Sequence, residues 1–233
     1  PAVDPKRYYS VQMVDGNTFN YGYIGSRATG HEAGSYLVVG PGWQGETPAG
    51  IKQVFRSTTQ FGLTIFRTQL LNPDDMPNVV AVQAGYQVQP LSAFLGQPAP
   101  PAPPAVEFPK ITAEMVKTNF WQYLDFALQF APAGPEEVAI RERLARIGVG
   151  AGKTFDFSEL SDEEKVEIGL GMKEGERKVE EAVATIGTDQ NGWKVGAAFG
   201  DRAFYNGNWV LRAAAAKAGI FGNGAHQEQY LID

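Results

Sequence analysis

The chain has no cysteine in its 233 residues and only two histidines, His31 and His226. The first absence excludes disulfides, thiolate nucleophiles and cysteine metal sites, and it fits an exported protein as well as a cytosolic one. The second thins the field of mechanisms. No uninterrupted apolar run approaches the roughly 20 residues that a membrane helix needs. The chain opens on Pro-Ala-Val-Asp-Pro, not on a basic and then apolar leader.

Positive charge in excess is also lacking. Residues 1–110 hold seven Lys/Arg and seven Asp/Glu, and residues 111–233 hold 13 and 19, so the whole net charge of -6 sits in the second half. Such a surface repels phosphate backbones, and nucleic acid is a poor partner. What remains is an ordinary globular composition, 43% hydrophobic, long enough for one large domain or two small ones.

The first third alternates at strand spacing. Arg7–Val14 reads as a strand, Asp15-Gly16-Asn17 as a turn, and Phe19, Tyr21 and Tyr23 as one face of the next strand. Residues 35–40, 51–57 and 61–71 are further strand candidates, and short connections between them favour an antiparallel sheet or barrel. Asp74 or Asp75 can cap a short helix with Pro77 in its first turn. Residues 97–109 are proline-rich and nearly chargeless, a stretch expected to run as extended polyproline II.

Beyond that stretch the period becomes 3.6. Thr112 can cap one helix running to Leu128, Pro135 opens a second that stops at Gly148, and Ser161-Asp162-Glu163-Glu164 is a capping box for the longest. Along this last helix Ile168, Met172, Gly175, Val179, Ala182 and Ile186 form a regular seam, either a core face or a homo-oligomer contact. Gly169, Gly171 and Gly175 lead to the expectation of a neighbouring backbone at close approach. Asn191-Gly192-Trp193 reads as a tight turn, residues 208–219 as a small-residue helix and residues 229–232 as the start of a strand. The fold class is therefore α+β, an antiparallel β-rich half followed by a mainly helical half. Its expected divisions are a β-rich domain over 1–96, a linker over 97–110 and a helical region over 111–233.

The stretch from Tyr21 to Trp43 carries the candidate chemistry. Ser26-Arg27-Ala28-Thr29-Gly30 offers two hydroxyls, a guanidinium fork and a glycine that lets backbone amides approach an oxyanion. Arg56 and Arg67, on later strands, could point the same way. The plainer alternative is that Arg27 pairs with Glu32 or Asp74 and the glycines only shape a loop. His31 is the nearby group whose unperturbed pKa suits a general base at neutral pH. A triad would need Ser26, His31 and an acid such as Asp74, without a G-x-S-x-G elbow. A divalent metal would need His31, Glu32 and Asp74 or Asp75, without H-E-x-x-H spacing. The aromatics Tyr8, Tyr9, Phe19, Tyr21, Tyr23, Tyr36 and Trp43 could line a pocket, though at strand spacing such residues commonly form core.

Several segments carry a resemblance: RYYSVQMVDGNTFNYGYIGSRATG, GSYLVVGPGW, FRTQLLNPDDMPNVVAVQAGYQVQPLS and NWVLRAAAAKAGIFGN. They resemble bacterial proteins that pair two domains of unknown function, the families numbered 1254 and 1214. The resemblance implies a β-rich first domain, a helical region and a second, jelly-roll-like β domain. On it, this chain begins inside the first domain and stops about where the second begins, so further sequence or a complementary chain supplies the rest. It also implies export to the periplasm or beyond. Hydrolase action on anionic, including phosphorylated, small molecules is a further implication, falling on Ser26, Arg27, Thr29, His31 and Arg67. Trp43 joins Arg27, Thr29 and Arg67 as an expected ligand contact. The other class of reading is a non-catalytic envelope protein that binds a ligand or assembles through its seam helix.

Overall fold

A computed structural model describes residues 1–196, 198–220, 222–227 and 230–232, the last three by backbone alone. β1 (Tyr9–Asp15) is buried at every position and lies between β2 (Asn20–Gly25) and β5 (Gly62–Thr68), antiparallel to both. β3 (Ser35–Val39) and β4 (Ile51–Arg56) form a separate two-stranded sheet. That pair is parallel, where antiparallel neighbours were expected. The segment 40–50 is long enough to carry the chain back across, which a hairpin turn could not do.

The expected common face of Phe19, Tyr21 and Tyr23 is split by a β-bulge. Met13 pairs with Gly22 but Val14 with Asn20, leaving Tyr21 as the extra residue. Bulges re-aim side chains by this means. Asn20 and Tyr23 thus share the Ser10–Gln12 side of the sheet. That side is covered by residues from the far end of the chain: Gln12 Nε2 donates to Gly222 O (2.9 Å), Asn20 Nδ2 to the same oxygen (3.0 Å), and Gly224 N to Tyr23 Oη (2.9 Å).

After β5, Asn72 caps a 3-10 turn over Pro73–Asp75 by accepting from Asp75 N, and α1 (Met76–Ala84) and α2 (Leu91–Phe94) follow. Neither aspartate caps α1 through its side chain, contrary to the expectation. Asp75 is instead one half of a buried ion pair: Arg7 Nη1 and Nη2 donate to its two oxygens at 2.6 Å each. Residues 97–110 carry no regular structure and are mostly exposed.

The expected helix from Thr112 to Leu128 is broken at Asn119 into α3 (Ala113–Thr118) and α4 (Phe120–Leu128). α5 (Val138–Arg146) begins after a 3-10 turn opened by Pro135. Asp125 organises the loop that follows by accepting from Gly150 N (2.6 Å) and Phe155 N (2.7 Å), and Leu128, Val149 and Phe155 form a small core there.

α6 (Asp162–Thr185) has both halves of the capping box in place. Ile168 at one end joins the Val149 core, whereas Ala182 and Ile186 at the other pack on Ala214 and Ala215 of α8 (Trp209–Gly219). Between these ends Met172 is exposed. Around Gly169, Gly171 and Gly175 nothing among the described residues lies within 4 Å of where a side chain would begin, so the expected close approach of a neighbouring backbone is not made there. β6 (Thr188–Gln190) and β7 (Trp193–Gly196) make a hairpin whose turn residues Asn191 and Gly192 both have positive φ, the geometry a two-residue hairpin turn demands. α7 (Arg202–Tyr205) precedes α8, and β8 (Tyr230–Ile232) pairs with β7. Gln229, expected to open that last strand, lies outside the described residues. No helix is long and apolar enough to cross a membrane, among the described residues.

The Arg7–Asp75 pair sets a pH dependence. Hydrogen bonds from Arg7 foremost, then from Asn78 and Leu71 N–H, hold the Asp75 carboxyl well below the usual aspartate range. A depressed folded pKa contributes stability that is fully present above the unfolded value, near 3.9, and is lost as pH falls through the folded one. We expect urea midpoints to fall steeply below about pH 4, and Asp75→Asn to flatten that limb. The same substitution leaves Arg7 buried without its counter-charge. It should therefore lower the neutral-pH midpoint more than breaking the exposed Arg177–Glu174 pair does.

Candidate anion pocket

The turn by which the chain leaves β2 is held from within. Gly25 N donates to Thr29 Oγ1 (3.0 Å), and Gly25 O accepts from the amides of Ala28, Thr29 and Gly30 at 2.9–3.0 Å. Ser26 is tied to β1: its hydroxyl accepts from Tyr9 N (3.0 Å) and donates to Arg7 O (3.2 Å). The two hydroxyls expected at a ligand are thus engaged in shaping the turn. Tyr9 Oη donates to Gly30 O (2.9 Å), and burial raises the pKa of this phenol. His31 packs edge-on against the Tyr9 ring at 5.9 Å, its Nδ1 buried without a hydrogen-bond partner among the described residues.

From this turn Arg27 reaches away. Its guanidinium lies 5.2 Å from the centre of the Tyr8 ring and donates to the carbonyl of Gln227, and it pairs with neither Glu32 nor Asp74. Across a cavity of about 400 Å³ lies Arg67. Arg67 leaves β5 beside Ser10 of β1 and donates to Gln12 Oε1 (2.5 Å) and Asn223 Oδ1 (3.3 Å). The cavity is lined by Tyr8, Arg27, Arg67, Thr68, Gln69 and Gln227. No acid is among these six, and two of them are permanent cations.

The remaining lining is fixed by the fold. Gln69 exchanges backbone and side-chain bonds with Tyr8, and Arg7 Nη1 donates to Gln69 O (2.5 Å), so the buried Arg7–Asp75 pair stands directly behind the wall. Gln227 is 2% exposed, its Oε1 accepts from Tyr8 Oη (3.3 Å), and its Nε2 is buried with no partner among the described residues. An orphaned buried amide costs free energy, which a ligand acceptor at the cavity would recover.

The structure therefore brings Arg27 and Arg67 to one cavity and leaves Ser26, Thr29, His31 and Trp43 off its lining. Trp43 belongs elsewhere, under the guanidinium of Arg56 at 5.1 Å. Among the described residues no three of the His, Asp and Glu side chains gather closely enough to hold a metal ion, so His31, Glu32 and the two aspartates are not assembled. Thr68, Gln69 and Gln227 were not expected at a site, and of the aromatics expected to line a pocket or form core only Tyr8 is in the lining. Gln69 could have been suspected from its place two residues after Arg67, but nothing in the sequence places Gln227 beside Arg27.

The fold is that of an α+β protein, with two arginines lining a cavity between a small antiparallel sheet and Gln227. Comparison with known proteins bears on the fold. The family described as "Protein of unknown function (DUF1254)" matches residues 1–90. The crystal structure of the VPA0106 protein from Vibrio parahaemolyticus is similar in fold, with a TM-score of 0.75 at 20% identity, over 96% of this chain and 53% of that one. The chain thus spans about half the length of that protein. No curated protein sequence matches it.

Gly25 has φ +135°, and a side chain there would meet Tyr9 O at 2.3 Å. We expect Gly25→Ala to destabilise the protein by at least about 1–3 kcal/mol and to displace Arg27. Thermal unfolding by circular dichroism measures the first effect, and anion titration of the folded fraction measures the second.

Proposed function

We propose that the chain binds an anionic small molecule between Arg27 and Arg67. The observation that supports this is the cavity's composition: two guanidiniums and, among the described residues, a buried amide nitrogen without a partner, Gln227 Nε2. Guanidinium forks match carboxylate and phosphate oxygens in bidentate geometry. Binding is the part of the expected activity that this geometry favours. The surrounding architecture we read as a β-rich domain over 1–96, a linker over 97–110 and a helical region over 111–233. As in the two-domain proteins of the families numbered 1254 and 1214, further sequence completes the whole, and export follows from the same resemblance. The greater length of the Vibrio protein supports that reading.

Hydrolysis of the bound anion is a second reading, favoured by the unpartnered Nδ1 of His31 at the turn that carries Arg27. In it His31 is the general base and Ser26 the nucleophile, which requires the Ser26 hydroxyl to leave Arg7 O. A divalent ion could serve such a reaction, held by groups outside the pocket's lining.

Isothermal titration with inorganic phosphate and with citrate tests the first reading. Each charge-assisted hydrogen bond is worth roughly 1.5–3 kcal/mol, so Arg27→Ala should weaken binding by about tenfold or more, and Arg67→Ala likewise. Unchanged affinity in both variants would refute the assignment. His31→Ala separates the readings: it should leave phosphate affinity intact, and loss of wild-type phosphomonoester turnover in that variant at retained affinity would favour the hydrolytic one.

A further inference from the structure

The two arginines of the cavity are rooted at opposite edges of one sheet. In the order β2-β1-β5, Gly25, Ser10 and Arg67 form a single row, because Ser10 pairs with Gly25 on one side and with Arg67 on the other. Neighbouring strands lie about 4.8 Å apart, so the backbones at the two ends of that row are roughly 10 Å apart. Ser26 N donates to Tyr9 O (3.0 Å), which keeps the turn aligned with β1 and starts Arg27 from the β2 edge. Arg27 and Arg67 therefore enter the cavity from two sides, with Tyr8, which leads into the central strand, between them.

Their heads are anchored separately. The Arg27 guanidinium lies over the Tyr8 ring and donates to the carbonyl of Gln227, whereas Arg67 turns to Gln12 Oε1 (2.5 Å) and Asn223 Oδ1 (3.3 Å). Gln12 is two residues beyond Ser10 along β1, away from Tyr8, so the two heads are drawn in different directions. The cavity of about 400 Å³ has room for about 13 waters at roughly 30 Å³ each. A single carboxylate or phosphate at one guanidinium fills only a small part of that space.

We propose, on the anion-binding reading above, that the ligand is an elongated organic dianion, a dicarboxylate with one carboxylate at Arg27 and the other at Arg67. Each guanidinium then has its own oxyanion, matched fork to fork, and the mutual repulsion of the two cations is offset at both ends. The connecting chain of the ligand crosses the Tyr8 side of the cavity and displaces the water there. Gln227, whose carbonyl already meets Arg27, offers its buried Nε2 as a neutral donor at that end. Such a site recognises the spacing of two charges as well as their sign.

Isothermal titration of the full chain with malonate, succinate, glutarate, adipate and pimelate, each beside the monocarboxylate of equal length, tests the spacing. Affinity should pass through a maximum within the series, because a short ligand cannot reach both arginines and a long one must buckle. The best dicarboxylate should bind at least about tenfold tighter than its monocarboxylate and than inorganic phosphate. Arg27→Ala and Arg67→Ala should each bring it to about the affinity of that monocarboxylate. The length series uses the unsubstituted chain, so it decides the matter even where Arg67→Ala, deprived of its bonds to Gln12 and Asn223, fails to fold. A flat series, or dicarboxylates no tighter than their monocarboxylates, would overturn the dianion; phosphate affinity that still falls in the arginine variants would then leave the pocket's anion binding standing. Absence of binding by every anion of the panel would overturn both.

Discussion

The amide of Gln12 is the interaction on which the rest of the molecule turns. It sits fully buried in the central strand of the N-terminal sheet, bonded through Nε2 to Asn20 and Gly222 and through Oε1 to Arg67. An amide in that position is unfavourable unless all its bonds are made. One of its partners comes from 210 residues away, so satisfying it requires the end of the chain to lie across the beginning. The same side chain then orients Arg67 toward the cavity. Folding and site construction are consequences of one constraint.

A second buried polar unit works behind the first. The Arg7–Asp75 pair joins the start of β1 to the entry of α1, and Arg7 also fixes the carbonyl of Gln69. Buried pairs of this kind are weak sources of net stability but costly to break. Here the pair constrains where the segment after β5 must run, and that segment forms the cavity's floor. The hydroxyls of Ser26 and Thr29 act in the same way on the opposite side, holding the turn so that the longer side chain of Arg27 is free to reach outward. Short polar side chains close to their own backbone commonly bond to it, which accounts for their absence from the lining.

Local features were legible where the signal is local. The strands of the first half, the capping box at Ser161, the cap at Thr112 and the turn at Asn191-Gly192 all depend on neighbours a few residues apart. The misreadings share a different origin. The parallel pairing of β3 and β4, the bulge at Tyr21 and the diversion of Asp75 from capping to ion pairing depend on which distant segment arrives alongside. Gly175 in its seam is another case, since its spacing suits a close contact that none of the described residues makes.

For the site, the sequence determined that an anion-friendly set existed: Arg27 on a glycine-punctuated turn, Arg67 on a later strand, and no thiol or histidine pair to suggest other chemistry. Only the tertiary structure decided that Arg27 and Arg67 meet, that Ser26 and Thr29 serve the backbone, and that Gln227 completes the wall. Side-chain identity fixes what a group can bond, because donors, acceptors and charge belong to the residue. Which partner it finds depends on chain closure over as many as 219 residues, and no local periodicity encodes that.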